Sequence, residues 1–138
     1  MFVTAVAMLV ILGIAIPHKT SGDKDETLHI QLNPIESLSE TPTIEEVKVA
    51  LVFASKEYGL DESQLLRVAS CESGFKYTAI GKAGEIGILQ FMPSTWVYWN
   101  KERRTELNIN STQDQINMVV WAWQNNLQHN WTCFSKYY

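Results

Sequence analysis

The sequence has few cysteines, few histidines and no excess of basic residues, and each shortage excludes a class of protein. Its 138 residues include two cysteines and three histidines. Two cysteines are too few for a small disulfide-rich scaffold, and the scattered histidines give no cluster with metal-ligand spacing. Lysine and arginine number 11 against 15 acidic residues, so the basic surface of a nucleic-acid-binding protein is missing. We therefore expect no metal, no cofactor and no nucleic-acid partner.

Charge is absent from residues 2–17. This apolar run is shorter than the roughly 20 residues that a membrane-spanning helix needs, and its length is typical of a signal-peptide core or a signal anchor. We interpret residues 1–17 as such a leader. Residues 18–42 are polar and acidic with two prolines, which indicates a linker. The sequence thus predicts an extracytoplasmic protein, secreted or held at the membrane by an uncleaved leader, with one domain over residues 43–138.

Within this domain, apolar residues recur at helical spacing. Thr43 and Glu46 match a capping box, in which each side chain satisfies a backbone amide of the other residue. Residues 75–91 contain three glycines and look irregular, with a short hairpin expected at residues 84–90. Helices are predicted from Thr43 to Gly59, from Asp61 to Gly74, from about Met92 onward, and over about residues 113–128. The predicted fold is mainly α-helical.

One carboxylate, that of Glu72, falls on the apolar face of the second predicted helix and beside its glycine end. Burying a charged group there costs free energy, so its presence indicates a structural or functional role. Burial raises the pKa of a carboxyl and favours its protonated form, which can donate a proton to a glycosidic oxygen. The alternative is a structural glutamate that pairs with Lys76 or Arg67.

The residues after Glu72 have the composition of a sugar-binding cleft. Gly84 and Gly87 allow the backbone to approach a ligand closely, and Gln90 offers a donor and an acceptor to sugar hydroxyls. Five aromatic residues could form apolar walls for pyranose rings, although they are equally compatible with an aromatic core: Phe75, Tyr77, Phe91, Trp96 and Trp99.

Two motifs in fixed order make the signal more specific. Glu72-Ser73-Gly74-Phe75 is followed by residues 84–96, GEIGILQFMPSTW. This combination resembles the lytic transglycosylase domain of the soluble-transglycosylase (SLT) type, in which an E-S-x-F segment carries the catalytic glutamate and a G-L-M-Q-x-M-P segment lines the cleft. Cys71 before Glu72 and the terminal Trp131-Thr132-Cys133 also resemble resuscitation-promoting factors, which are lysozyme-like cell-wall enzymes. The resemblance covers about residues 60–134.

The resemblance implies a lysozyme-like helical fold with a small irregular or hairpin segment beside the cleft. It also implies an enzyme that cuts peptidoglycan glycan strands between N-acetylmuramic acid and N-acetylglucosamine, and we expect this enzyme to be a monomer. Glu72 would act first as acid and then as base, so a second carboxylate would not be required. The implied substrate contacts are Ser73, Tyr77, Gln90, Phe91 and Trp96.

The two cysteines, Cys71 and Cys133, are even in number. In an exported protein this favours a disulfide, with two buried free thiols as the alternative. Closing a loop of about 63 residues would stabilise the fold by about 4 kcal/mol in the chain-entropy description. In the resuscitation-promoting factors a disulfide joins the corresponding positions, so the resemblance also implies this bond.

One motif departs from the family pattern. Lytic transglycosylases usually carry an A-Y-N-x-G segment whose tyrosine reaches the catalytic region, whereas residues 121–126 here read WAWQNN. Hydrolysis therefore remains an alternative to anhydro-sugar formation. A hydrolase needs a second carboxylate across the cleft, for which Glu85 is the first candidate and Asp114 the next. A third alternative is a non-catalytic peptidoglycan-binding module.

Overall fold

A computed structural model describes residues 33–138. The predicted leader, residues 1–17, and residues 18–32 of the predicted linker lie outside the described residues. The described part contains five α-helices and a short 3-10 turn, so the mainly α-helical prediction is confirmed. The helices are α1 (Ile44–Tyr58), α2 (Glu62–Ser73), α3 (Pro93–Arg103), α4 (Thr112–Gln124) and α5 (Thr132–Tyr137), with the 3-10 turn at Gln128–Asn130.

The first helix begins and ends as its sequence predicts. The Thr43 hydroxyl accepts a hydrogen bond from the Glu46 amide at 3.2 Å, and the Thr43 amide donates to the Glu46 carboxylate at 2.7 Å. The hydrogen bond from the Thr43 amide also lowers the pKa of Glu46. Gly59 closes the helix with a φ of 65°, a left-handed conformation that glycine adopts without strain.

The core lies where α1 packs against α2 and α4. Leu51, Leu65 and Val119, one from each helix, are completely buried. Ile35, in a turn ahead of α1, is also buried against this core. Among the helices of residues 33–138, none combines the length and the hydropathy that a membrane crossing requires.

The glycine-rich segment, which we define as residues 75–92, connects α2 to α3 without a helix or an extended strand. Two single antiparallel bridges, Ile80 to Ile86 and Ile86 to Phe91, fold it back on itself. Gly84 and Gly87 have φ angles of 88° and 83°, which explains the need for glycine at these turns. The predicted irregular segment with hairpin character is therefore present.

A disulfide joins Cys71 in the last turn of α2 to Cys133 in α5, with 5.9 Å between the Cα atoms. The predicted disulfide is confirmed, whereas α5 itself was missed by the sequence prediction. Arg67 of α2 also lies over the rings of Tyr137 and Tyr138, at 5.7 and 5.5 Å from its guanidinium carbon. The end of the described chain is thus held against α2 at two places.

Candidate functional site

Glu72 lies in the last turn of α2 and is half-buried. Its Oε1 atom accepts a hydrogen bond from the Cys133 amide at 3.1 Å, across 61 positions of sequence. Cys133 lies in the first turn of α5, where backbone amides have no partner within the helix. The carboxylate therefore satisfies a helix-end donor while the rest of the group stays accessible.

The pKa of Glu72 is raised, as its helical position predicted. Burial, which disfavours the charged form, is the largest cause. The hydrogen bond from the Cys133 amide acts in the opposite direction, and repulsion from the Glu85 carboxylate raises the pKa further. Glu72 is therefore more readily protonated than an exposed glutamate.

No counter-ion neutralises Glu72 among residues 33–138. The one ion pair within 4 Å in this part of the chain joins Lys48 to Glu45, at 3.7 Å on the exposed side of α1. The pairing of Glu72 with Lys76 or Arg67, the structural alternative from the sequence, is thus not formed in the described structure.

The backbone of the glycine-rich segment is held in place by side chains from other elements. The Ser73 hydroxyl donates to the Ile88 carbonyl at 2.6 Å, and the Ile88 amide donates to the Gln115 Oε1 atom at 2.9 Å. The indole of Trp131 donates to the Leu89 carbonyl at 2.7 Å. Ser73, predicted to contact substrate, therefore joins α2 to this segment.

Gln115 is the site-forming residue that the sequence reasoning missed. It is completely buried, and its Nε2 atom donates to the Ile109 carbonyl at 2.7 Å. A Cβ at Gly87 would overlap its carboxamide, so Gly87 is required by packing as well as by φ. The available signal was its helical phase, because Gln115 lies three and four residues before Met118 and Val119 on the buried face of α4.

Gln90 and Glu85 lie side by side on the glycine-rich segment. The Gln90 Nε2 atom donates to the carbonyls of Ala79 and Gly87 at 3.2 and 3.0 Å, which leaves its amide oxygen uncommitted by these bonds. This oxygen and the Glu85 carboxylate both lie against Gly81, where a Cβ would clash. Gln90 braces the segment, and its oxygen faces the second carboxylate of the region.

Three of the five predicted wall residues, Phe91, Trp96 and Trp99, form an aromatic cluster with Trp131. Phe75 lies elsewhere, with its ring centroid 5.3 Å from the Lys48 ammonium of α1. Phe91 makes edge-to-face contacts with Trp96 and Trp131, with ring centroids 4.9 and 5.5 Å apart. Trp96 is buried and its indole donates to the Leu107 carbonyl at 3.0 Å, while Tyr77 is half-buried against the core. A depression of about 70 Å³ over this cluster is lined by Gln90, Phe91, Met92, Thr95, Trp99, Asn130 and Trp131.

The segment that departs from the family pattern contributes to the same cluster. Trp123 is buried, with its ring centroid 4.8 Å from that of Trp131. Its indole donates to the Gln64 side chain at 3.0 Å. The indole nitrogen of Trp123 is thus hydrogen-bonded within the protein.

Two comparisons with known proteins bear on this arrangement. The model of the transglycosylase SLT domain matches residues 50–129, more than half of the chain. The matched region contains Glu72, the glycine-rich segment and all of α4. No solved structure matches the chain. The chain therefore belongs to the transglycosylase SLT domain family.

Proposed function

We propose that this protein is a muramidase that cuts the β-1,4 bond between N-acetylmuramic acid and N-acetylglucosamine in peptidoglycan, with Glu72 as its catalytic acid. The observation that carries the proposal is a half-buried carboxyl with a raised pKa, without a counter-ion among residues 33–138 and next to a glycine-rich segment, in a chain of the SLT family. A carboxyl whose pKa is raised by burial is more readily protonated, and a protonated carboxyl is the group that donates a proton in glycosidic bond cleavage.

The reaction needs one carboxyl in two roles. Protonated Glu72 donates its proton to the glycosidic oxygen, the bond from that oxygen to C1 of N-acetylmuramic acid breaks, and N-acetylglucosamine leaves with a free 4-hydroxyl. The Glu72 carboxylate then takes the proton of the muramic 6-hydroxyl, whose oxygen attacks C1 and closes a 1,6-anhydro ring. Proton and electron pairs balance without water or a second carboxylate.

The surroundings of Glu72 support this cycle. The Cys133 amide stabilises the carboxylate after proton donation, while burial and the Glu85 charge favour its return to the protonated state. Gln90 and Phe91 line the depression next to the segment, where a sugar ring would meet an apolar face and an amide. Ser73 and Tyr77 complete the proposed set of substrate contacts, with Trp96 as the support beneath them.

A lysozyme-type hydrolysis is the second candidate, and Glu85 favours it. The Glu85 carboxylate is near enough to Glu72 to raise its pKa by repulsion, and a second carboxylate is what a hydrolase requires. However, Glu85 accepts a hydrogen bond from the Ala83 amide at 2.9 Å within its own turn. We therefore place hydrolysis behind anhydro-ring formation.

The test is digestion of purified peptidoglycan by the full chain, with the products identified by mass spectrometry. We expect anhydro-muropeptides from the wild-type protein and a loss of roughly 100-fold or more in rate for Glu72→Gln, because a general acid contributes about that much. Glu57→Gln, which alters an exposed carboxylate on α1, is the matched control and should cleave normally.

The products also separate the alternatives. Reducing-end sugars that disappear in Glu85→Gln would establish hydrolysis with two carboxylates. Binding of peptidoglycan without release of any fragment would establish a non-catalytic module and overturn the proposal.

We further propose that the protein acts outside the cytoplasm as a monomer. Residues 1–17 would export or anchor the chain, and residues 18–42 would link them to the domain at residues 43–138. Peptidoglycan as the substrate of SLT domains is consistent with this location. Mass determination of the N-terminus of the mature protein distinguishes a cleaved leader from an anchor.

A further inference from the structure

The disulfide and the hydrogen bond to the proposed catalytic carboxylate meet at neighbouring residues. Cys71 immediately precedes Glu72, and Cys133, its disulfide partner, also supplies the amide that donates to Glu72 Oε1. The covalent bond and the hydrogen bond thus form one small ring through residues 71, 72 and 133. A disulfide placed only to close a long loop would not need this position.

The donor helix is too short to be stable alone. α5 has six residues, and isolated helices of fewer than about 12 residues are marginal in water. Trp131, just before α5, is buried and bonded to the Leu89 carbonyl. Within α5, Cys133 is buried and Phe134 is partly buried against the core, while the other four residues are exposed. Beyond Trp131, the disulfide is the covalent constraint on where the Cys133 amide lies.

We propose that the Cys71–Cys133 disulfide is a positioning element for Glu72, which fixes the Cys133 amide on Oε1 and thereby sets the orientation of the proposed catalytic carboxyl. The catalytic consequence of this inference rests on the proposed function. The role of the disulfide in holding the Cys133 amide against Glu72 does not depend on that function. Cys133 is a positioning residue, since it acts on the substrate only through Glu72.

The groups around Glu72 predict the direction in which its pKa changes when the disulfide is removed. Burial and the Glu85 carboxylate, which faces Glu72 from the glycine-rich segment, raise the pKa of Glu72, and the amide on α5 opposes them. When the disulfide is absent, the bond from Trp131 to the Leu89 carbonyl still holds the start of α5, but the Cys133 amide is no longer fixed at hydrogen-bonding distance from Glu72. The pKa of Glu72 then rises, and a carboxyl free to rotate donates its proton less efficiently.

The first experiment follows the Cys133 amide in the oxidised, ¹⁵N-labelled full chain by NMR from about pH 3 to about pH 8, the range in which carboxyls titrate. We expect its chemical shift to move with the midpoint at which the Glu72 side chain titrates, and to stay constant in Glu72→Gln. Glu85→Gln is the matched control, because it removes repulsion while leaving the hydrogen bond. In that variant the amide should still move, with a lower midpoint.

The second experiment removes the disulfide. Cys71→Ala leaves the Cys133 amide in the chain, and treatment of the wild type with a dithiol gives the same state by converting both cysteines to thiols while the dithiol becomes a cyclic disulfide. We expect a smaller pH response of the amide, a fall in kcat of roughly tenfold at unchanged KM, and a descending limb of the pH profile that moves to higher pH. Thr43→Ala, which weakens α1 elsewhere, should keep the wild-type pH profile.

The outcomes separate the two proposals. A Cys133 amide that ignores the Glu72 titration in the wild type overturns the inference, as does a folded Cys71→Ala with unchanged amide response and pH profile. If Cys71→Ala does not fold, the amide titration of the dithiol-treated wild type, compared with that of the oxidised protein, decides. A wild-type protein that cleaves nothing overturns the proposed function, while this comparison of amide titrations with and without the disulfide decides the positioning role.

Discussion

The first helix and the glycine-rich segment are specified by the sequence in opposite ways. α1 begins at a capping box between residues three positions apart and ends at Gly59, and both signals are local. The glycine-rich segment takes its shape from bonds that span 15, 27 and 42 positions, made by Ser73, Gln115 and Trp131. The glycine-rich segment therefore needs both its own glycines, which permit its turns, and distant side chains, which hold those turns in place, whereas α1 needs local signals alone.

This difference also separates stability from function. The helices bury the core, and α1 would form in much the same way in another protein. Among its apolar side chains, the glycine-rich segment buries only Phe75, Ile88, Leu89 and Phe91, and its Glu85 carboxylate is near enough to raise the pKa of the candidate catalytic carboxyl. Apart from the last, each substitution below removes either a local signal of α1 or a constraint on the glycine-rich segment, and leaves the other region unchanged.

Gly87→Ala should have the largest effect. The new Cβ would overlap the buried Gln115 carboxamide and sit at a φ of 83°, so we expect a loss of about 4 kcal/mol in the free energy of unfolding from strain and overpacking together. Gly84→Ala is the matched control, with a φ of 88° and open space around the added Cβ. It should cost only about 1–2 kcal/mol. Urea denaturation measures both, and equal losses would show that Gln115 packing does not constrain the segment.

Gln115→Ala removes the side-chain hydrogen bond that joins α4 to the segment. It leaves the Ile88 amide and the Ile109 carbonyl without their partner in a buried place, and we expect a loss of about 3 kcal/mol. We also expect faster hydrogen exchange at Ile88 and Leu89, while amides of α1 stay protected. Uniform loss of protection would instead mean that the segment and α1 unfold as one unit.

The helices were predictable because their signals lie within a few residues. Periodic apolar residues, the Thr43 cap and the glycines at 59 and 74 set α1 and α2 within a residue or two. α5 was not predictable, because six residues give no period and the helix depends on the disulfide and on Trp131. The same limit applies to the turns of the glycine-rich segment, whose glycines indicate turns without indicating their direction.

The candidate site was predictable in part. The helical phase of Glu72 predicted a carboxyl with a raised pKa, and the structure agrees. Gln115 was missed because a glutamine on an apolar helical face gives no information about which distant backbone it will bond. The bond from Ser73 to Ile88 was equally hidden. Predicting such contacts requires the packing of α2, α4 and the segment to be known first.

Thr43→Ala tests the local signal that begins α1, the capping box. Loss of the threonine hydroxyl removes the hydrogen bond to the Glu46 amide, and we expect a loss of about 1 kcal/mol in the free energy of unfolding. The cleavage rate should not change, because the cap lies outside the candidate site. Thermal unfolding and the peptidoglycan digestion assay measure the two quantities, and a change in rate would contradict the separation of α1 from the site.

Glu72→Gln should have the smallest effect on stability, and its sign depends on pH. The folded state raises the pKa of Glu72 above 4.5, so folding favours the protonated form. The contribution to stability is fully present below about pH 4.5, the unfolded pKa, and is lost as the pH rises through the folded pKa. Glutamine mimics the protonated form at every pH, so the variant should equal the wild type in acid and be slightly more stable than it at neutral pH. The effect is small because Glu72 is only half-buried. Urea midpoints at acidic and neutral pH measure it, and a variant less stable than wild type at neutral pH would mean that the Cys133 amide outweighs burial and the Glu85 charge.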